Sequence, residues 1–115
     1  MVKKIQSINP FNWELNGTIN LISEQEVHQI INQAHTAFLE WKNISLNDRK
    51  QYFYALAEQI EKNIDECARL QTIEMGMLLS DSKTGLQGTA NLIRWFADNA
   101  ENILWDKKFE TSEWV

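Results

Sequence analysis

Two histidines, one cysteine and a scatter of carboxylates are the side chains in this sequence with chemistry to offer. His28 and His35 are seven residues apart. A helix would put them on one side but about 10 Å apart. One ion cannot bridge that distance, for which the useful spacing is i, i+4. Glu24 lies four before His28, but two ligands do not make a metal site. Both histidines therefore read as surface residues. Cys67 would need a base or a positive environment to become a thiolate nucleophile. Its neighbours are Asp65, Glu66 and Ala68, so it reads as a buried, inert thiol.

Asp65, Glu66, Glu74, Asp98, Glu101 and Asp106 fall mostly on polar faces, and an acid–base pair needs a cleft that spacing alone does not supply. Gly85-Leu86-Gln87-Gly88 lacks the spacing of a phosphate loop and has no strand before it. Of Trp13, Trp41, Trp95, Trp105 and Trp114, Trp41 lies on an apolar helical stripe and reads as core. Trp95 lies opposite such a stripe and reads as an interface residue. No catalytic, cofactor-binding or metal-binding set emerges from these residues.

The bulk composition narrows the field further. The chain has 115 residues, a net charge of −5, 43% hydrophobic and 23% charged residues. That is ordinary globular composition and fits one domain at most. A compact chain of this mass would expose roughly 6,500 Å² of the roughly 19,600 Å² open in the unfolded state. The longest basic runs, Lys3-Lys4 and Lys107-Lys108, are too short for phosphate binding, so no nucleic-acid partner is expected. No apolar run reaches 18 residues, so no membrane span is expected, and the opening residues do not read as a secretory signal. A single cysteine allows no internal disulfide, which fits a cytoplasmic location.

The elements that would carry these residues are mostly helical. Residues 1–22 are the exception and read as an N-terminal β ribbon. Ile5, Ile8, Ile19, Leu21 and Ile22 favour strands, and both Asn9-Pro10 and Asn16-Gly17 are turn signals, leaving two places for the reversal. Ser23 and Glu26 form a capping box, opening a helix that runs to about Lys42. Its stripe is Val27, Ile30, Ile31, Ala34, Phe38 and Trp41, an arc of roughly 100°. Ser45 and Asp48 open the next helix, with a break expected near Asn63-Ile64-Asp65 and a stop at Gly76. Pieces near 46–62 and 65–75 follow. Residues 77–84 read as a connection with turn chemistry in Ser80-Asp81-Ser82. A last helix covers about 86–104.

That last helix carries a central stripe of Leu86, Ala90, Ile93, Ala97, Ala100 and Leu104. Leu92, Phe96 and Ile103 widen it to roughly 160°, more than one packed neighbour needs. Gln87, Asn91, Arg94, Asp98 and Glu101 form the opposite face, expected to be solvated. The second half of the preceding helix is also apolar on two sides, through Leu70, Ile73 and Met77. These helices have more apolar surface than they can hide among themselves. The tail from Trp105 to Val115 alternates at Phe109, Thr111, Glu113 and Val115 and reads as the opening of a strand.

Taken in order, these segments resemble the N-terminal part of the NAD(P)-dependent aldehyde dehydrogenase superfamily. Ile8-Asn9-Pro10 resembles its opening motif. Ala34-His35-Thr36-Ala37-Phe38-Leu39-Glu40-Trp41 resembles its Ala-x-x-Ala-Phe-x-x-Trp helix. Ser45, Arg49 and Leu56-Ala57 are similar to the start of its next helix. Leu70-Gln71-Thr72-Ile73-Glu74-Met75-Gly76 and Arg94-Trp95-Phe96-Ala97-Asp98-Asn99-Ala100-Glu101 are similar to the stretches that follow. The Glu-Met-Gly form and the Asn-Ala-Glu ending look most like the succinate-semialdehyde branch. Phe11-Asn12-Trp13 and Met77 depart from the usual pattern.

The resemblance implies a mainly α chain, a β ribbon followed by three to four helices, forming an N-terminal portion of the α/β aldehyde dehydrogenase fold. It implies a ribbon over 1–22, a helical segment of the cofactor-binding domain over 23–104, and a truncated tail over 105–115. The family's catalytic Cys, general-base Glu and Rossmann segment come later in its members. Cys67 matches a helix rather than the nucleophile segment, so no catalytic residue carries over. Thr84 and Gly88 are expected near the wall of the substrate tunnel. NAD or NADP is the full-length family's cofactor, and none is expected for this chain alone. The expected partner is the remainder of the dehydrogenase; the alternative is a helical module that self-associates through its apolar faces.

Overall fold

A computed structural model describes residues 3–104. The expected tail strand, Trp105, Trp114, Asp106 and the Lys107-Lys108 pair lie outside the described residues. The order is β1 (Lys4–Ile8), β2 (Leu15–Asn20), α1 (Glu24–Trp41), α2 (Leu46–Lys62), α3 (Ile64–Met75) and α4 (Leu79–Ile103). The chain is mainly helical, with a two-stranded antiparallel ribbon at its start.

Asn9-Pro10, not Asn16-Gly17, begins the turn of the ribbon. The Asn9 N–H donates to the Glu14 carbonyl at 2.8 Å and closes the loop. The side chains of Asn9 and Asn12 each accept from the backbone N–H two residues on, at 3.0 and 3.1 Å. These Asx turns fold the loop locally. Ser7 pairs with Gly17 and Ile8 with Leu15, so Asn16 is the extra residue of a bulge. The bulge aims its amide away from the ladder, donating to the Ile73 carbonyl at 2.9 Å and to Ser7 Oγ at 3.3 Å. Ser7 Oγ in turn donates to Glu74 Oε1 at 2.9 Å. The ribbon is thereby pinned to the C-terminal turn of α3.

Helix α1 opens on the full capping box. Ser23 Oγ accepts from the Glu26 N–H at 3.2 Å, and the Ser23 N–H donates to Glu26 Oε2 at 2.7 Å. The Ser23 hydrogen bonds hold the Glu26 carboxyl below its usual range, an acid stabilised at a helix N-terminus. Ser45 caps α2 in the same way, accepting from the Asp48 N–H at 3.1 Å. The break falls at Asn63, whose side chain returns to the Gln59 carbonyl at 2.7 Å. Gly76 ends α3 with φ at +72°, a left-handed geometry that suits glycine. Its Cα also faces Pro10 closely, since a Cβ there would stand 3.2 Å from the proline Cγ.

The connection after α3 is shorter than expected. Only Gly76, Met77 and Leu78 separate the helices, and α4 begins at Leu79. Ser80-Asp81-Ser82 therefore forms the first turn of α4 rather than a loop. Small polar residues and an acid suit both settings, and here Asp81 faces the positive end of the helix.

Side-chain pairs give the direction of packing. Lys50 meets Glu101, Tyr54 meets Asp98, Glu61 meets Arg94, and Asp65 meets Lys83. Numbers rise along α2 and α3 as they fall along α4. The long α4 thus runs antiparallel beside both. Among the described residues the buried ones are all small: Ala57 on α2, Ala68 on α3, and Ser82, Ala90 and Ala97 on α4. Those on α4 are spaced by eight and seven, about two turns each, and mark one seam.

The other described residues are half-buried or exposed. Every residue of α1 is exposed, with Ile30 at 52% and Phe38 at 53%, so Trp41, expected in the core, is not there. Leu70, Leu92, Phe96 and Ile103 stand open as well. The chain presents 10090 Å² to solvent, against the roughly 6,500 Å² of a compact chain of its mass. Its radius of gyration is 20.9 Å, where about 13 Å is usual for this length. The molecule is an open layer of helices.

Candidate functional site

Thr84 and Gly88, the two positions singled out from the sequence, lie inside α4 and not at its start. They are one turn apart and share a face. Both are exposed. The Thr84 hydroxyl donates to the Ser80 carbonyl at 2.9 Å, and the space over Gly88 is open. Gly85 and Gly88 have their N–H groups in the interior of a helix, where the backbone ladder uses them. A dinucleotide phosphate needs free N–H groups at a helix start. The described residues do not fit such a cradle.

The histidines stay apart from any ligand set. His28 Nε2 lies 3.9 Å from Glu24 Oε1, both well exposed, and His35 stands beside Phe38. Among the described residues, no group of three His, Cys, Asp or Glu side chains is placed to hold a metal. Cys67 is half-buried rather than fully buried. Trp95 is exposed at 52% and packs edge-on against Phe96.

The polar face of α4, expected to be solvated, is a row of contacts to α2 and α3. Arg94 grips Glu61 with both forks, Nη1 to Oε1 at 2.7 Å and Nη2 to Oε2 at 2.6 Å. Gln87 Nε2 adds a third bond to Glu61 Oε1 at 2.8 Å. The bidentate arrangement is the strong form of this pairing. Arg94 first, then Gln87, hold the Glu61 carboxyl down to about 2. Tyr54 donates its hydroxyl to Asp98 Oδ1 at 2.5 Å, which raises the phenol above its ordinary value. Lys83 Nζ, 2.6 Å from Asp65 Oδ1, lowers that carboxyl. Helix α3 starts at Ile64, one residue before the expected 65, and Asp65 in its first turn meets Lys83. These partners are 18 to 44 residues apart in sequence, and no local spacing signals such pairs.

One concavity among the described residues is apolar. A groove of about 350 Å³ lies where the end of α1 meets α2 and the last turns of α4. Trp41, Leu46, Phe53, Phe96, Ile103 and Leu104 supply most of its walls. Arg49 and Lys50 are the charged residues lining it. Arg49 stacks over the Trp41 ring at 5.7 Å and donates to the Lys42 and Ile44 carbonyls, at 2.9 and 3.1 Å. Lys50 Nζ lies 3.4 Å from Glu101. A surface of this kind binds another apolar surface; it holds no nucleophile or base poised on a reacting atom.

Comparison with known proteins adds the family. The model of the aldehyde dehydrogenase family matches residues 1–114. An N-succinylglutamate 5-semialdehyde dehydrogenase of Legionella pneumophila is 31% identical over 95% of this chain and 22% of its own length. A succinate-semialdehyde dehydrogenase [NADP(+)] of Mycobacterium tuberculosis is 30% identical over 95% of this chain and 24% of its own. The chain thus spans about a quarter of the curated relatives it matches. Among solved structures, HpcC of Thermus thermophilus superposes with a TM-score of 0.86 at 28% identity, over 95% of this chain and 21% of that one. A succinic semialdehyde dehydrogenase of Streptococcus pyogenes, in complex with NADP+, superposes at 0.85 with 24% identity, over 92% of this chain and 24% of that one, a likeness of fold. The match along almost the whole sequence, with the same path of the backbone, makes this chain a member of the aldehyde dehydrogenase family.

Proposed function

We propose that this chain is the N-terminal part of an NAD(P)-dependent dehydrogenase that oxidises a semialdehyde carrying a distant carboxylate, succinate semialdehyde first, to the acid. The family match over residues 1–114 carries this reading, and the names of the two relatives supply the substrate class. In this reading the chain forms an outer helical layer in a cytoplasmic enzyme. On the same reading the nucleophilic Cys, the general-base Glu and the Rossmann segment that the resemblance implies would come from the rest of the enzyme, since this chain spans about a quarter of its relatives. The apolar faces of α1 and α4 are the surfaces that remainder would cover, and Thr84 and Gly88 face the substrate path.

Two measurements test the proposal. The purified 115-residue chain, given succinate semialdehyde with NAD and with NADP, should show no turnover and no tight dinucleotide binding, and turnover would refute it. Exchanged for the matching segment of the M. tuberculosis relative, the chain should support NADP-linked oxidation. Thr84→Phe in that chimera should raise KM more than it lowers kcat. A folded chimera without activity sinks the family function, and an unchanged KM removes Thr84 from the substrate path. A second reading, a helical module that pairs with itself, is favoured by the uncovered α1.

A further inference from the structure

We propose that Asn16-Gly17 is a site of spontaneous deamidation, and that its product unlatches the β ribbon from helix α3. Asn16-Gly17 is the single Asn-Gly pair of the sequence. Gly17 brings no Cβ to crowd its backbone nitrogen. Asn16 is the extra residue of the bulge, with no partner across the ladder. Gly17 is exposed, and a Cβ built on it would meet nothing within 4 Å, so water reaches the pair. In the reaction, the Gly17 nitrogen gives up its proton and attacks the Asn16 side-chain Cγ. The bond from Cγ to the amide nitrogen breaks, and ammonia leaves. Water then opens the cyclic imide on either side and returns aspartate or isoaspartate at position 16. Water enters, ammonia departs, and nothing is oxidised or reduced.

The fold gives this amide a task that an acid cannot perform. Asn16 Nδ2 donates to the Ile73 carbonyl at 2.9 Å and to Ser7 Oγ at 3.3 Å, and Ser7 Oγ donates to Glu74 Oε1 at 2.9 Å. An ionised carboxylate at position 16 only accepts. It would face the Ile73 carbonyl with no proton between them. It would also compete with Glu74 for the single Ser7 hydroxyl proton. Isoaspartate further lengthens the backbone by a carbon inside the ladder. Packing does not make up the loss, since the ribbon packs extensively on no helix among the described residues. A two-stranded ribbon by itself is marginal in water, so it frays once unpinned. While the Asn16 bonds hold, they restrict the side-chain rotation that the attack requires. Conversion is therefore slow and proceeds through local openings of the ribbon.

The purified chain, aged in mildly alkaline buffer, tests both steps. Peptide mass spectrometry should find the exchange of amide for acid, with isoaspartate, at position 16 ahead of every other asparagine. Gly17→Ala should keep position 16 unmodified over the same interval. That variant fits the fold, because Gly17 does not take a positive φ and has open space above it. Hydrogen exchange then reads the latch. The Asn9 and Leu21 N–H groups donate across the ribbon to Glu14 and Lys3, each at 2.8 Å. In the aged chain and in Asn16→Asp they should exchange about tenfold faster, the effect of a polar group left without its partner, while the amides of α2 and α4 keep their protection. The proposal is overturned by a position 16 that stays an amide in buffer, by Gly17→Ala converting as fast as the parent, or by unchanged ribbon exchange in Asn16→Asp.

Discussion

Gly76→Ala should destabilise the fold by two separable effects. The first is conformational. Gly76 has φ at +72°, and an L side chain in that region costs about 1–2 kcal/mol. The second is contact. A Cβ at Gly76 would stand 3.2 Å from Pro10 Cγ, closer than carbon atoms rest, so the ribbon turn must shift by a few tenths of an ångström. The turn has little freedom to do so. Its loop is closed by the Asn9–Glu14 bond, and the ribbon is tied to α3 through Ser7–Glu74 and Asn16–Ile73. Alanine also restricts the unfolded chain, which offsets part of the loss, by about 0.4–1 kcal/mol. The net expectation is a loss of about 1–2 kcal/mol, or a urea midpoint lower by roughly 1 M at unchanged slope. Circular dichroism in urea reads it directly. The double variant with Pro10→Ala isolates the contact: residues that touch couple by at least about 0.5 kcal/mol. If Gly76→Ala leaves the midpoint in place, the left-handed cap is not a constraint. If its cost is the same with and without Pro10, the ribbon and the helix connection are not in contact.

Two further outcomes follow from the seam between α2, α3 and α4. Glu61 sits at about 2 against an ordinary 4.5, so its pairing contributes fully above pH 4.5 and is lost as pH falls from there through 2. Stability should rise with pH across that window; in Arg94→Gln the Glu61 midpoint, followed by carboxyl NMR, should climb most of the way back, and a midpoint still near 2 would mean the fork is not the cause. Ala90 is wholly buried and Leu92, two residues on, is 54% exposed. Ala90→Leu should cost about 1–3 kcal/mol by overpacking, whereas Leu92→Ala should stay within about 0.5 kcal/mol; equal costs in thermal unfolding would place the seam elsewhere.

What the residues announced in advance was local. Ser23 with Glu26, Ser45 with Asp48, and Gly76 act through bonds within a few residues, so type and spacing reveal them. The start of α4 was hidden because Ser80-Asp81-Ser82 suits a turn and a first helical turn equally. Asn16-Gly17 reads as a hairpin turn by composition, yet the register across from Ser7 and Ile8 makes Asn16 a bulge. Glu61 and Arg94 are 33 residues apart, and a polar face on a helix looks the same whether water or another helix lies against it. For the candidate site, the surplus of apolar surface was visible as stripes wider than one neighbour needs. The groove itself was not, since it arises only where the ends of three helices meet.

The same contrast explains how an open layer keeps the family backbone. Full burial contributes little, because among the described residues it is confined to four alanines and one serine, with Ile60, Ile64, Leu86 and Ile93 half-buried around them. What small residues do is let α4 approach α2 and α3 closely, since ridge height sets the distance between helices. At that distance the polar side chains on either side can reach. Lys50–Glu101, Tyr54–Asp98, Glu61–Arg94 and Asp65–Lys83 then fix the sliding and the direction of α4 at four points along its length. Each exposed ion pair contributes little to stability by itself. As a set they exclude other registers, because a shift of one turn would separate every partner by about 5 Å. The polar row therefore specifies the arrangement, while the apolar faces of α1 and α4 stay free for a surface that comes from beyond this layer.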